Sequence, residues 1–147
     1  MEMKFNRMFL VWNFYKNKFE VEYPEVNESD IEDAICYWNE FKENAIENYL
    51  LKNGCNKNVV DALNVLNGVR KPYSPIEKIV KDIQLSYLRN KDDFYKEHDM
   101  LIKNEDINKI REKYQNILKE DIFCTKTFEK FNKLAKNNLE YQLKMMK

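Results

Sequence analysis

The sequence has little glycine, proline or histidine, and each shortage excludes a class of structure or chemistry. Two glycines and three prolines occur in 147 residues, too few for the many tight turns of an all-β sandwich or barrel. Gly54 and Gly68 lie far apart, so the clustered glycines of a phosphate-binding loop are missing. These absences favour helices and exclude the common glycine-rich nucleotide-binding motifs.

Histidine and cysteine are too sparse for the usual metal and catalytic sites. His98 is the only histidine, which excludes HExxH motifs and zinc sites with several histidines. It lies on the apolar side of its predicted helix, so we interpret it as a packed structural residue rather than a ligand or a general base. Cys36, Cys55 and Cys124 form no CxxC pair and indicate no disulfide framework. We expect no metal, no cofactor and no catalytic residue.

Long apolar runs are also missing. Lys4 and Arg7 precede the run Met8–Trp12, which resembles the start of a signal peptide, but five residues are too few for its apolar region. No stretch approaches the roughly 20 apolar residues of a membrane-spanning helix. The sequence therefore predicts a soluble, cytoplasmic protein without a membrane partner.

What the sequence does have is apolar residues at helical spacing. The 44% of apolar and 14% of aromatic residues suffice for one core in a chain of this length. We expect an all-α fold: a compact, irregular bundle of five to seven helices that forms a single helical domain over residues 1–147.

The first part of the chain has two competing structural predictions. Apolar residues from Phe5 to Phe19 keep helical spacing, which predicts a helix. A short N-terminal β-hairpin is the alternative, because apolar and charged residues alternate from position 18 to 23. A second helix should begin at Asn27 or Ser29 and continue to Gly54.

Capping signals mark later helices. Ser74 and Glu77 form a capping box with proline at the first helical position, which predicts a helix start. Asn104 should cap another helix, and the last helix should begin near Thr125 or Thr127 and run to the C-terminal end.

The zero net charge hides an acidic segment, since residues 21–50 contain nine acidic residues and one lysine. Five carboxylates lie on the outer arc of the predicted second helix, namely Glu32, Asp33, Glu40, Glu43 and Glu47. We interpret this arc as a docking surface for a larger protein with a basic surface, such as one that otherwise binds nucleic acid. An ordinary solvated helix face is the alternative.

Four apolar residues lie off the main arcs of their predicted helices and are further candidates for partner binding: Leu10, Phe14, Leu85 and Leu88. The alternative for Leu85 and Leu88 is that a second neighbour packs against them inside the fold.

The function predicted from these patterns is non-enzymatic protein binding, by an adaptor, an assembly factor or a stoichiometric inhibitor. Small size and a composition rich in lysine and asparagine suggest an inhibitor encoded by a phage or another mobile element. The alternative is a nucleic-acid-binding helical module, with cations at Arg70 and Lys71 and on the last helix. The lysines on the outer face of the predicted last helix are Lys130, Lys133, Lys136, Lys144 and Lys147.

Overall fold

The structure is a computed structural model that describes residues 6–146. Within that range every regular element is helical and no strand occurs, which confirms the all-α class. Eight α-helices have nine residues or more and one has four, slightly above the predicted number. The α-helices span Arg7–Glu22 (α1), Glu28–Phe41 (α2), Ala45–Asn53 (α3), Lys57–Leu66 (α4), Pro75–Gln84 (α5), Lys91–Asn104 (α6), Ile107–Ile117 (α7), Lys126–Glu129 (α8) and Asn132–Met145 (α9), and 3-10 helices span Lys42–Asn44 and Ser86–Arg89.

The N-terminal segment is a helix, and the β-hairpin alternative was wrong. The Asn6 side chain caps α1 by accepting a hydrogen bond from the Met8 amide at 2.9 Å. Met8, Trp12 and Phe19 are buried at helical spacing along α1, so the helical periodicity outweighs the short alternation that follows it. Phe5, where the predicted helix begins, lies outside the described residues.

The chain divides into two compact units, Met1–Gln84 and Leu85–Lys147. In the first unit α2 lies centrally and contacts α1, α3, α4 and α5, while α1 and α4 each also pack against α5. The Arg7 guanidinium donates hydrogen bonds to the Ile83 and Gln84 carbonyl oxygens, both at 3.0 Å. Because these two carbonyls belong to the last two residues of α5, Arg7 caps the C-terminal end of that helix. The single domain over residues 1–147 stays a prediction.

A buried carboxylate joins the starts of α2 and α4. Asp30 accepts hydrogen bonds from the side-chain amides of Asn56, at 3.0 Å, and Asn58, at 3.2 Å. Asn56 is at the same time the N-cap of α4. An acidic residue in the first turn of α2 also suits the positive end of the helix dipole.

In the second unit the 3-10 helix Ser86–Arg89 packs against α6 and α9, and α7 contacts both of these helices. Asn138 of α9 donates a hydrogen bond to the Leu88 carbonyl oxygen at 3.0 Å. Thr125 caps α8, as predicted. The predicted single last helix was wrong, however, because the chain breaks after α8 and begins α9 at Asn132. No helix in the described range 6–146 has both the length and the apolar character to cross a membrane.

Candidate functional site

The five carboxylates of the predicted acidic arc fall into two groups. Glu32 accepts a hydrogen bond from the indole Nε1 of buried Trp12 at 2.9 Å, so it joins α1 to α2. Asp33 is half-buried, and burial together with the neighbouring charges of Asp30 and Glu32 raises the pKa of its carboxyl group. Glu32 thus serves the packing of the first unit, and Asp33 is partly removed from solvent.

Glu40, Glu43 and Glu47 are exposed. They do not lie on one helix, and the prediction of an unbroken helix as far as Gly54 was wrong. Lys42 has a φ of 50° and a ψ of −122°, a conformation that residues other than glycine rarely adopt. α2 therefore ends at Phe41, and a 3-10 turn leads into α3. We call these three glutamates the acidic junction, because they flank the turn between α2 and α3.

Exposed leucines accompany the acidic junction on α3. Leu50 and Leu51 lie three and four residues after Glu47, a spacing that places them beside it on the helix surface. Leu51 is 87% exposed. The junction is thus a mixed surface, with carboxylates next to apolar side chains.

Leu85 and Leu88 are not available to a partner, which corrects their prediction as binding residues. Leu88 is 0% exposed and Leu85 is also buried. The reason is that α5 ends at Gln84 and the chain continues as a 3-10 helix, whose three residues per turn rotate these side chains away from their α-helical positions. Leu10 and Phe14, by contrast, are exposed on α1.

Arg70 and Lys71, two basic residues of the alternative prediction, lie on the loop between α4 and α5 of the first unit. The guanidinium of Arg70 donates to Glu77 from Nε and from Nη2, the latter at 3.2 Å, and Nη2 lies 3.8 Å from an Asp61 carboxylate oxygen. Its charge is therefore compensated by two carboxylates. Lys71 is exposed on the same loop.

The lysines predicted for the last helix lie on two elements. Lys130 follows α8, and its ammonium nitrogen lies 5.2 Å from the centre of the Phe131 ring. Lys133, Lys136 and Lys144 are exposed on α9. Lys147 lies outside the described residues.

His98 packs inside the second unit, as predicted. Its Nδ1 lies 2.8 Å from the hydroxyl oxygen of Tyr114, and its ring stacks on Phe94 with 5.9 Å between the ring centres. Burial lowers the pKa of His98, although the charge of Asp99 opposes this shift. The imidazole is therefore neutral near pH 7 and takes part in a buried aromatic cluster.

Metal-ligand clusters and activated thiols do not stand out in the part of the chain that the structure describes. Residues 6–146 contain no group of three or more His, Cys, Asp or Glu side chains placed to hold a metal ion. Burial, followed by the charges of Glu40 and Asp33, raises the pKa of the half-buried Cys36 thiol, which disfavours the nucleophilic thiolate.

Two exposed side chains on the loop between α4 and α5 were not predicted from the sequence. Val69 is 73% exposed and Tyr73 is 81% exposed. Gly68 and Pro72 mark this segment as a loop, but apolar periodicity carries no information about which loop side chains face solvent.

Three comparisons with known proteins give no further guidance. The chain matches no protein-family model, no curated protein and no solved structure.

Proposed function

We propose that this chain is a non-enzymatic protein-binding protein that acts stoichiometrically, as an adaptor, an assembly factor or an inhibitor. It docks through the acidic junction on a basic surface of a larger protein in the cytoplasm. The observation that carries the proposal is the exposure of Glu40, Glu43 and Glu47 around one turn, whereas Glu32 binds Trp12 and Asp33 is half-buried. Small size and composition remain the support for a phage or another mobile element as its source.

The position of Glu40 supports a role other than helix stability. It lies in the last turn of α2, which contains no basic residue. A carboxylate there faces the negative end of the helix dipole, an arrangement that costs about 0.3–1 kcal/mol. Leu50 and Leu51 add apolar area next to the charges. Carboxylates of this kind speed encounter with a basic partner, and the leucines contribute contact area.

Charge reversal with a matched control tests the proposal. One variant carries Glu40→Lys, Glu43→Lys and Glu47→Lys. The control carries the same change of charge on three exposed glutamates of the second unit, Glu112, Glu129 and Glu140. Both are used, with the original protein, to capture partners from the source cells, and circular dichroism checks that each is folded.

We expect the control to recover the same partner as the original protein and the junction variant to recover less than a tenth of it. Binding of the purified partner should weaken steeply with added salt, because exposed charges are screened. Equal recovery by both variants would remove the acidic junction as the docking surface. Binding of DNA or RNA that survives the junction substitutions and fails after Lys133→Glu and Lys144→Glu would favour the nucleic-acid alternative instead.

A further inference from the structure

One side of α9 is apolar and exposed, although the helix packs in the second unit through another side. Ala135 and Leu139 of α9 are fully buried. Leu134, Tyr141 and Met145 are 44%, 56% and 64% exposed. Their spacing of seven and four residues places these three side chains together on a different side of the helix. α9 therefore has an apolar stripe that faces solvent.

Two exposed lysines border this stripe. Lys144 lies three residues after Tyr141, and Lys133 lies eight residues before it, so both are beside the stripe on the helix surface. In the part of the chain that the structure describes, neither ammonium group has an ion-pair or hydrogen-bond partner. α9 as a whole contains three lysines and one glutamate, a net charge of +2. We call Lys133, Leu134, Tyr141, Lys144 and Met145 the basic face.

The acidic junction of the first unit has the opposite charge and a similar apolar content. Residues 40–51 contain the three glutamates of the junction and one lysine, a net charge of −2. The ammonium nitrogen of that lysine, Lys42, lies 5.5 Å from the centre of the Trp38 ring. Leu50 and Leu51, which are 39% and 87% exposed, supply the apolar part. The junction and the basic face are therefore complementary in charge, and each also exposes apolar side chains.

The zero net charge of the chain is likewise the sum of two opposite units. The first unit contains 14 acidic and 11 basic residues, a net charge of −3, and the second contains 11 acidic and 14 basic residues, a net charge of +3. Copies of a chain without net charge do not repel one another as a whole, which promotes association. Opposite units favour the orientation in which the first unit of one copy meets the second unit of another. A second copy of this chain therefore fits both surfaces.

We propose that copies of this chain associate head to tail, with the basic face of one copy on the acidic junction of the next. Lys133 and Lys144 face the junction glutamates, and the exposed leucines of α3 cover the apolar stripe. The contact is heterologous, so it permits open chains of copies or a closed ring. The inference rests on the proposed function in treating the acidic junction as a docking surface. It adds a regulation of that surface, because a second copy competes for it with the larger protein.

The contact should be weak and sensitive to salt. The exposed apolar side chains are few, so the buried area falls at the low end of interface sizes, below about 1,200 Å². The charges lie at the surface and are screened, with a Debye length of about 30 Å at 0.01 M salt and about 3 Å at 1 M. We therefore expect monomers in dilute solution and association at high protein concentration and low salt.

Sedimentation velocity of the purified full chain over a range of concentrations measures the association. One variant carries Glu40→Gln, Glu43→Gln and Glu47→Gln, and the other carries Lys133→Gln and Lys144→Gln. At low salt the sedimentation coefficient of the original protein should rise with concentration, and that of each variant alone should rise far less. An equimolar mixture of the two variants should associate again but stop at a dimer, because each copy keeps only one surface. Non-specific attraction between charged chains has no such limit.

Neutral substitutions separate the contact from the net charge. Leu51→Ser and Tyr141→Ser should each weaken the association several-fold, whereas Leu10→Ser, at an exposed position of α1, should leave it unchanged. Circular dichroism checks that each variant is folded. The proposal is overturned by a constant sedimentation coefficient of the original protein at low salt, by a mixture that stays monomeric, or by an equal effect of Leu10→Ser. If the original protein stays monomeric and binds DNA or RNA that the lysine variant does not, the basic face belongs to nucleic acid instead.

The outcome is separable from that of the proposed function, because this experiment uses the purified chain alone. If the chain stays monomeric while capture from the source cells still depends on the junction, self-association fails and the docking surface stands. If copies associate but capture does not depend on the junction, the larger protein partner at that surface fails and self-association stands.

Discussion

Replacing Arg70 with methionine removes the cation from the Glu77 carboxylate, which is almost wholly buried. Breaking a buried ion pair by removing one partner costs about 3–5 kcal/mol. The cost here should be lower, because the Arg70 side chain is 39% exposed and exposed pairs contribute little. Glu77 also keeps its hydrogen bond from the Ser74 amide. We expect Arg70→Met to lower the free energy of unfolding of the first unit by about 2 kcal/mol.

Urea unfolding followed by tryptophan fluorescence is the assay, because both tryptophans of the chain, Trp12 and Trp38, belong to the first unit. A double-mutant cycle with Glu77→Gln isolates the pair. The loss of unfolding free energy in the double variant should be smaller than the sum of the two single losses by about 1 kcal/mol, because the two changed residues are in contact and the buried Glu77 carboxylate is then absent.

The pH dependence of this loss has a definite sign. Burial alone would raise the pKa of Glu77, but the hydrogen bonds from Arg70 and Ser74 outweigh it, so that pKa is lower in the folded state than in the unfolded chain. The contribution of Glu77 to stability is therefore complete above its unfolded pKa of about 4.3, and it is lost as the pH falls through the folded pKa. The difference between the original protein and Arg70→Met should therefore shrink between pH 6 and pH 3. A loss of unfolding free energy below about 0.5 kcal/mol at pH 7, or equal losses at pH 6 and pH 3, would refute this explanation.

Three further predictions concern other parts of the chain. The pKa of His98 is lowered by burial, so stability should fall as the pH drops below about 6.5, where the unfolded imidazole takes up a proton. Thermal melts at pH 7 and 5.5 should show a lower melting temperature at pH 5.5 for the original protein. The decrease in melting temperature should be smaller for His98→Gln. Leu88→Ala should lower the free energy of unfolding by about 2–5 kcal/mol, measured by chemical unfolding followed by circular dichroism, because the side chain is fully buried. Leu10→Ala, at an exposed position, should change it by less than about 0.5 kcal/mol. Similar losses in the two variants would contradict the assigned burial. Lys42→Gly should raise the urea midpoint by an amount equivalent to about 1 kcal/mol, because glycine adopts the φ of 50° without strain. An unchanged or lower midpoint would argue against a strained turn at Lys42.

Helix starts were predictable because a cap is a local interaction. The Ser74 and Glu77 capping box forms as the spacing indicates, and Asn27 caps α2. The cap of α7 was placed two residues too early, at Asn104, whereas Asp106 accepts the hydrogen bond. Asn104 instead donates to the Met100 carbonyl oxygen of its own helix. Two neighbouring residues with similar capping ability cannot be ranked without their tertiary surroundings.

Helix breaks were less predictable, and the candidate site depends on one of them. No glycine or proline lies around Lys42 to mark a stop, and the two helices that the turn joins, α2 and α3, both pack against α4. The single acidic arc predicted on one helix was therefore wrong, and its division into packed and exposed residues could not be read from the periodicity. The prediction that Leu85 and Leu88 are exposed for partner binding was wrong for the same reason. It assumed an uninterrupted α-helix, whereas α5 ends at Gln84.

The hydrogen bonds from Arg7 to the Ile83 and Gln84 carbonyl oxygens have a consequence for synthesis on the ribosome. The helix that is made first in this unit packs against the helix that is made last. Until residue 84 has emerged, the apolar side of α1 with Trp12 lacks one of its neighbours and is open to chaperones or to premature association. Folding of the unit is thus delayed until nearly all of it has been translated, and slow codons placed before position 84 should prolong the vulnerable period.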